Sequence, residues 1–257
     1  MRHAATSRRL AALCSIDARL KPSRDVITIR RAGERLRTRI GWLDSRHTFS
    51  FEEHIDPRHM GFRALRVMNE DRVAPGHGYG THARRDVEIV TYVVEGVLRH
   101  HDSLGTEGLV AAGGLQLMSA GTGVLHSELN ASDGEPLHLL QIWMTPERTR
   151  LAPSYEQRAF PFAGRRGRLT LVASRDGRDG SVTIHQDVAV FSCLLQKSEA
   201  SSLVIQPGRH VWVQVIRGSI QLNGVALTAG DGACISDEAA AEVRSSSVSE
   251  TLLFDLA

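Results

Sequence analysis

Short apolar segments separated by turn residues run through the chain from about Val26 onward. The segments are rich in Val, Ile, Thr, Phe and Tyr, and Gly, Pro, Asn and Asp stand between them, which is typical of an all-β sandwich or barrel. Residues 87–101, for example, are a nearly continuous run of β-branched residues that Glu95-Gly96 interrupts. This stretch predicts a strand, a tight turn and a second strand that starts at Val97.

The same β pattern occurs twice along the chain. Residues 92–121 and 214–236 both run from strand through a charged residue plus glycine to a second strand, a loop and a third strand. Gly96 matches Gly218, and the pair Gly113-Gly114 matches Gly230-Asp231. A duplicated β unit predicts a tandem double-stranded β-helix of two stacked, jelly-roll-like barrels, over residues 27–148 and 149–257. Residues 147–168, rich in Pro and Arg, are interpreted as the linker.

The charge balance excludes one class of partner. The net charge is +2, and residues 1–26 hold six basic residues against Asp17 and Asp25, a balance of +4. The remainder of the chain is therefore about −2 by subtraction, which does not suit a nucleic-acid-binding surface. We interpret residues 1–26 as a disordered extension, or as the product of a start assigned too far upstream.

Cysteine usage and hydropathy indicate the compartment. The three cysteines, Cys14, Cys193 and Cys234, lie far apart without CxxC spacing, so a reducing compartment and hence the cytoplasm is expected. No run of 18 apolar residues exists, so no membrane span is expected.

Histidines in the first half carry the candidate chemistry. Residues two apart on a strand project from the same face, so His82 shares a face with Arg84, and His126 shares one with Glu128. A barrel can bring two such strands together and direct their side chains at one interior point. Imidazoles and a carboxylate suit Fe, Mn, Ni, Cu or Zn. Arg84 interrupts the pattern because its guanidinium offers no lone pair to a metal.

Several long motifs resemble one known family, the pirins. They include "GWLDSRHTFSF", "MGFRALRVMNED", "GTHARRDVEIVTYVVEGVL", "MSAGTGVLHSELN" and "LHLLQIWMTP". The similarity begins near residue 27, and it is greatest to bacterial pirin-like proteins classed as quercetin 2,3-dioxygenases. Such proteins are bicupins that hold metal in the N-terminal barrel, whereas the C-terminal cupin has no ligands.

The resemblance implies a ligand set and an activity. His82, His126 and Glu128 match three of the family's four metal ligands, while Arg84 stands where the second histidine is expected. The implied cofactor is a divalent cation, Fe(II) by preference and Mn, Ni, Cu or Zn otherwise. The implied activity is that of a metal-dependent dioxygenase that cleaves a flavonol with O₂. Such an enzyme would act in flavonoid metabolism. Glu128 is then both a ligand and the catalytic base.

Arg84 leaves other outcomes open at this stage. The metal could be weakly bound or absent, with Arg84 paired to Glu128 inside an apo barrel. The chain would then be a non-catalytic regulatory protein that binds a protein partner. His77, on a glycine-rich loop, is a candidate replacement ligand.

Other polar residues are expected to have local roles. His100 and His101 are expected to form local hydrogen bonds, and Asp86 or Glu88 to pair with Arg84 or Arg85. His138 is interpreted as a barrel-lining or core residue.

Overall fold

The computed structural model of the chain describes residues 27–257, and strands predominate among them. The prediction of an all-β chain is confirmed. The predicted extension over residues 1–26, with Cys14, lies outside the described residues. The described residues include a four-residue α-helix, α1 (Phe162–Arg165), and no described helix is long and apolar enough to cross a bilayer.

The first barrel consists of a large and a small antiparallel sheet. Its strands are β2 (Leu36–Ile40), β3 (Leu43–His47), β4 (Leu65–Val73), β5 (Gly78–Arg84), β6 (Glu88–Glu95), β7 (Val97–Asp102), β8 (Glu107–Ala111), β9 (Gly114–Ser119), β10 (Val124–Asn130), β11 (Leu137–Met144) and β12 (Ser154–Ala159). The large sheet has the order β12-β9-β6-β11-β4-β3-β2, and the small sheet has the order β5-β10-β7-β8.

The second barrel repeats this plan. Its strands are β1 (Ile27–Arg30), β13 (Leu169–Ser174), β14 (Val182–Thr183), β15 (Val188–Leu195), β16 (Ala200–Val204), β17 (His210–Arg217), β18 (Ser219–Leu222), β19 (Val225–Thr228), β20 (Gly232–Ile235), β21 (Ala240–Ser245) and β22 (Ser249–Leu256). The large sheet has the order β1-β20-β17-β22-β15-β13-β14, and the small sheet has the order β16-β21-β18-β19.

Corresponding strands occupy corresponding positions in the two barrels. In the small sheets β5, β10, β7 and β8 correspond in order to β16, β21, β18 and β19. The matched turn glycines also agree, because Gly96 has φ 81° and Gly218 has φ 75°. A side chain at either position would strain the backbone. The duplicated arrangement expected from the repeat is therefore present in three dimensions.

Each barrel receives its outermost strand from the other half of the chain. β1 pairs with β20 in the second barrel, although it precedes the whole first barrel. β12 pairs with β9 in the first barrel along Ser154–Ala159. The interpretation of residues 147–168 as a linker is therefore wrong for Ser154–Ala159, which form a strand. The domain division between residues 148 and 149 stays a prediction, and the sheets exchange strands across it.

The barrel interiors differ in polarity. In the second barrel two of the buried positions of β21 are occupied by Ala241 and Val243, which pack with a cluster of Val, Ile and Leu side chains. In the first barrel the equivalent strand β10 buries His126 and Glu128 instead. Burying polar groups is costly unless they are paired, so the first barrel is where a function is to be sought.

A shared apolar core joins the barrels. Phe49 of the first barrel packs against Trp212 of the second, with ring centroids 4.9 Å apart. A buried arginine, Arg165, crosses the same boundary by donating to Ser192 at 2.7 Å and to the Tyr92 hydroxyl. The two barrels therefore hold each other in a fixed orientation around one hydrophobic cluster.

A partly buried ion pair on β4 is expected to make stability depend on pH. Glu70 accepts hydrogen bonds from Arg35 at 2.7 Å and His138 at 3.0 Å. Burial opposes ionisation, but these two partners lower the pKa of Glu70 to about 2. The folded-state pKa lies below the unfolded value, so the stabilisation is complete above about pH 4.5 and is lost as the pH falls toward 2.

Glu70→Gln is expected to lower the free energy of unfolding by about 1–3 kcal/mol at neutral pH. The difference from the unchanged chain should shrink as the pH is lowered to about 3. Urea unfolding at both pH values measures it, and Glu107→Gln, on the exposed side of β8, is the control. A deficit that is equal at both pH values would show that the pair does not act through ionisation.

Candidate metal centre

Strand β10 directs His126 and Glu128 into the first barrel. Both side chains are about 2% exposed, whereas Leu125, the residue before His126, is 50% exposed. This alternation follows from the two-residue period of a strand and confirms that the pair shares one face. The register with β5 shifts between His126 and Glu128, because β5 carries an extra residue between Tyr79 and His82.

His100 joins this pair from the neighbouring strand. It lies on β7 directly opposite Glu128. One ligand atom each from His100, His126 and Glu128 lies within 4.8 Å of the other two, and all three residues are buried. We call these three residues the inner cluster.

His126 has no hydrogen-bond partner for either ring nitrogen, and both nitrogens are buried. Burial, aided by the nearby His82 and His100, lowers the pKa of His126 to about 3. The imidazole is therefore neutral at physiological pH and keeps a free lone pair. A buried histidine without a partner is costly in a folded protein, but it suits a metal ligand.

Glu128 is held by three donors. Gln116 donates at 2.5 Å, Gln141 at 2.6 Å and Thr91 at 3.1 Å. Burial raises the pKa of Glu128 to about 7, against the lowering effect of the Thr91 and Gln141 hydrogen bonds. The carboxylate is thus fixed in position before any ligand binds, as metal-binding carboxylates commonly are.

Two aromatic residues orient the amides that hold Glu128. Tyr155 donates from its hydroxyl to Gln116 Oε1 at 3.0 Å, and Trp143 donates from Nε1 to Gln141 Oε1 at 3.1 Å. Since each amide oxygen is engaged in this way, each amide nitrogen faces Glu128. This outer shell could not be found from sequence spacing because its members lie on three different strands, β9, β11 and β12.

His100 is oriented by a carboxylate. Its Nε2 lies 3.0 Å from Asp102 Oδ2, which confirms the expected local hydrogen bond, and its ring stacks on Tyr155 at 4.3 Å. The other nitrogen, Nδ1, is buried and has no partner. A histidine fixed by a carboxylate on one nitrogen and open on the other is a common arrangement for a metal ligand. The expectation for His100 did not include this role.

His82 lies at the edge of the inner cluster. Its ring centroid is 4.4 Å from that of His126, and its Nδ1 contacts the Gly80 carbonyl at 2.8 Å. Among the described residues, the group whose ligand atoms lie within 4.8 Å of one another does not include His82. The set of His82, His126 and Glu128 stays a prediction, and the structure brings two of its members together with His100.

Arg84 does not pair with Glu128. Its guanidinium carbon lies 4.5 Å from the ring centroid of Trp143, and Nη1 donates to the Ala83 carbonyl at 3.3 Å. No carboxylate among residues 27–257 lies within 4.0 Å of it. The alternative in which Arg84 pairs with Glu128 is therefore wrong, because the stack on Trp143 holds the guanidinium elsewhere. Burial lowers the pKa of Arg84.

The remaining candidates lie away from the inner cluster. His77 is exposed, and its Nδ1 contacts the Pro75 carbonyl at 2.7 Å, so it does not replace a ligand here. His138 is buried against Glu70 on the other side of the large sheet. Arg85 pairs with Asp86 at 3.5 Å, as expected.

A cavity of about 470 Å³ opens beside the inner cluster. Its walls carry aromatic, apolar and polar side chains: Thr38, Ile40, Trp42, Leu43, Phe51, Glu52, Tyr79, His82, Arg84 and Gln141. Gln141 both lines this cavity and donates to Glu128, so it connects the cavity with the inner cluster. The volume is within the range of pockets for small organic ligands.

The residues present fit a divalent cation. Two neutral imidazoles with unpartnered buried nitrogens and one fixed carboxylate supply a donor set typical of Fe, Mn, Ni, Cu or Zn. Three protein ligands leave coordination positions for a substrate. The arrangement can therefore support metal-assisted chemistry on a molecule in the cavity.

Comparisons with known proteins agree with this picture. A family model described as Pirin matches residues 29–144, and one described as quercetinase C-terminal cupin domain matches residues 171–256. Quercetin 2,3-dioxygenase of Escherichia coli (strain K12) is 49% identical over 231 residues, which are 90% of this chain and 99% of that protein.

Solved structures give the same result. The crystal structure of YhhW from Escherichia coli has a TM-score of 0.87 at 48% identity, covering 90% of this chain and 97% of that one. A crystal structure of bacterial pirin YhhW in complex with nickel(II), also from Escherichia coli, has a TM-score of 0.85 at 49% identity, covering 90% and 98%. The predicted bicupin fold is confirmed.

Proposed function

This chain belongs to the pirin family, and on that premise we propose that it is a metal-dependent dioxygenase that cleaves a flavonol such as quercetin with O₂. The observation that carries the proposal is His126, whose two buried nitrogens lack partners beside the fixed carboxylate of Glu128. We place the activity in the cytoplasm, in keeping with the free thiols of Cys193 and Cys234.

His126, Glu128 and His100 would hold the cation, and His82 is a neighbouring fourth candidate. A divalent metal supplies Lewis acidity, which lowers the pKa of a coordinated hydroxyl. Fe(II) is our proposed metal. Nickel is the main alternative, because a nickel(II) complex is known for the bacterial pirin YhhW.

The side chains around the cluster position the reaction. Gln116 and Gln141 orient the Glu128 carboxylate, which we propose as the base that removes the substrate hydroxyl proton. Trp42 and Tyr79 meet edge to face at 5.4 Å in the cavity wall. Their rings would hold a flat substrate ring in place and exclude water from it.

The proposal predicts metal-dependent loss of quercetin. Protein purified without added metal, then loaded with Fe(II), should bind about one ion per chain and consume O₂ in step with quercetin. Metal analysis, the absorbance of quercetin and an oxygen electrode measure these three quantities. A chain loaded with one metal ion that neither degrades quercetin nor consumes O₂ would overturn the dioxygenase proposal.

One observation favours a non-catalytic role as the second candidate. Arg84 stands on the cavity wall at the position where the family resemblance implies a second histidine ligand. A chain with a weakened centre could act as a regulatory protein that binds a partner. In the same assay this role predicts less than about one metal per ten chains together with no O₂ uptake.

A further inference from the structure

Arg84 is a half-buried cation on the cavity wall without an anionic partner. Within residues 27–257 no carboxylate lies within 4.0 Å of its guanidinium. Its Nε is buried and makes no hydrogen bond, and its Nη2 donates to no described group. Its neighbour Arg85, by contrast, is exposed and pairs with Asp86 at 3.5 Å. Burial makes an unpaired charge costly, yet here the exposed Arg85 has a carboxylate partner and the half-buried Arg84 has none.

The nearby acids Glu52 and Glu128 raise the pKa of Arg84 only from a distance, and neither binds the guanidinium directly. Glu128 is occupied by the donors Thr91, Gln116 and Gln141. Glu52 is exposed on the cavity rim and lies beyond ion-pair distance of Arg84. The guanidinium carbon lies 4.5 Å from the Trp143 ring centroid, and neither Nε nor Nη2 of Arg84 meets an acceptor among the described residues.

The free edge has the geometry of a carboxylate site. In arginine, the Nε–H and Nη2–H groups lie on one edge and donate in parallel to a carboxylate. The same chain uses this edge on β2, where Arg37 holds Asp44 through Nε at 2.7 Å and through Nη2 at 2.5 Å. In Arg84 the corresponding pair of donors has no protein acceptor.

We propose that Arg84 forms an anion subsite in the cavity, through which this chain also binds planar aromatic carboxylates. The ring would lie among the aromatic side chains of the cavity while the carboxylate takes the free edge of Arg84. This inference takes its location from the proposed function, since both use the same cavity. It requires neither turnover nor a bound metal, so the two can fail separately.

The test compares 2-naphthoate with its neutral isostere 2-naphthamide. Binding to the full chain is measured by calorimetry, both as purified and after treatment with a chelator. We expect naphthoate to bind at least about tenfold more tightly than naphthamide in both preparations, since hydrogen bonds to charged groups are among the stronger ones. Equal affinities, or binding of neither probe, would overturn the subsite.

Substitutions test whether Arg84 is the source of the preference for naphthoate over naphthamide. Arg84→Gln should weaken naphthoate binding by about 10- to 100-fold and leave naphthamide within about twofold. Arg84→Lys should retain part of the preference, and Arg85→Gln, the control, should behave like the unchanged chain. Circular dichroism confirms that each variant is folded. A preference that survives Arg84→Gln, or that disappears on metal removal, would overturn the inference.

Discussion

Replacing His126 by glutamine is expected to leave the purified protein with less than about a tenth of the metal of the unchanged chain. Both nitrogens of His126 are buried without partners, so a cation would take the lone pair of the one that carries no proton. Loss of residues that only orient a ligand already costs about 10- to 100-fold in metal affinity, so loss of the ligand itself should cost at least that. Quercetin degradation should fall by at least about 100-fold in consequence.

The control for this variant is another histidine. His77→Gln removes an exposed imidazole from a loop outside the inner cluster, and it should leave metal content and activity unchanged. Metal is measured by mass spectrometry of the desalted protein, and activity by O₂ uptake. Full metal content in His126→Gln, or an equal loss in His77→Gln, would show that His126 is not a ligand.

The second large effect is expected at His100. His100→Gln should lower metal affinity by about 10- to 100-fold, because it removes a member of the inner cluster and the hydrogen bond to Asp102. His101→Gln is the matched control. His101 is the next residue on β7, but its side chain is exposed on the other face.

The variant His82→Gln tests whether His82 or His100 is the further ligand beside His126 and Glu128. We expect a smaller effect at His82 than at His100, since the ligand atoms of His82 lie outside the 4.8 Å group. A competition titration with a chromogenic chelator measures all three variants. A large loss in His82→Gln with no loss in His100→Gln would support the ligand set expected from the sequence and contradict the role of His100.

Local sequence patterns predict much of the fold. The break at Glu95-Gly96 predicts a turn, and the structure has φ 81° at Gly96 between β6 and β7. The exchange of β1 and β12 between barrels was not predictable, since β1 pairs with a strand more than 200 residues away and β12 pairs back across the predicted domain division, and neither pairing leaves a local signal. Ser154–Ala159 is half-buried or exposed at a sheet edge, so it lacks the apolar alternation that marks an inner strand.

The candidate site, like the fold, could be predicted only in part from the sequence. His126 and Glu128 could be placed on one face, because a two-residue spacing on one strand fixes it. The position of His100 depends on how β7 pairs with β10, and a one-residue change in that register would turn its side chain outward. The stack of Arg84 on Trp143 joins β5 to β11 across the barrel, which no spacing rule contains.

The most direct test of the metal centre is a crystal of the full chain, loaded with one metal ion and measured at the absorption edge of that metal. We expect a single anomalous peak inside the first barrel. It should lie within bonding distance, roughly 2.0–2.3 Å, of a His126 nitrogen and a Glu128 oxygen. A peak bound elsewhere on the chain, with His126 and Glu128 arranged as described here and free of metal, would contradict it.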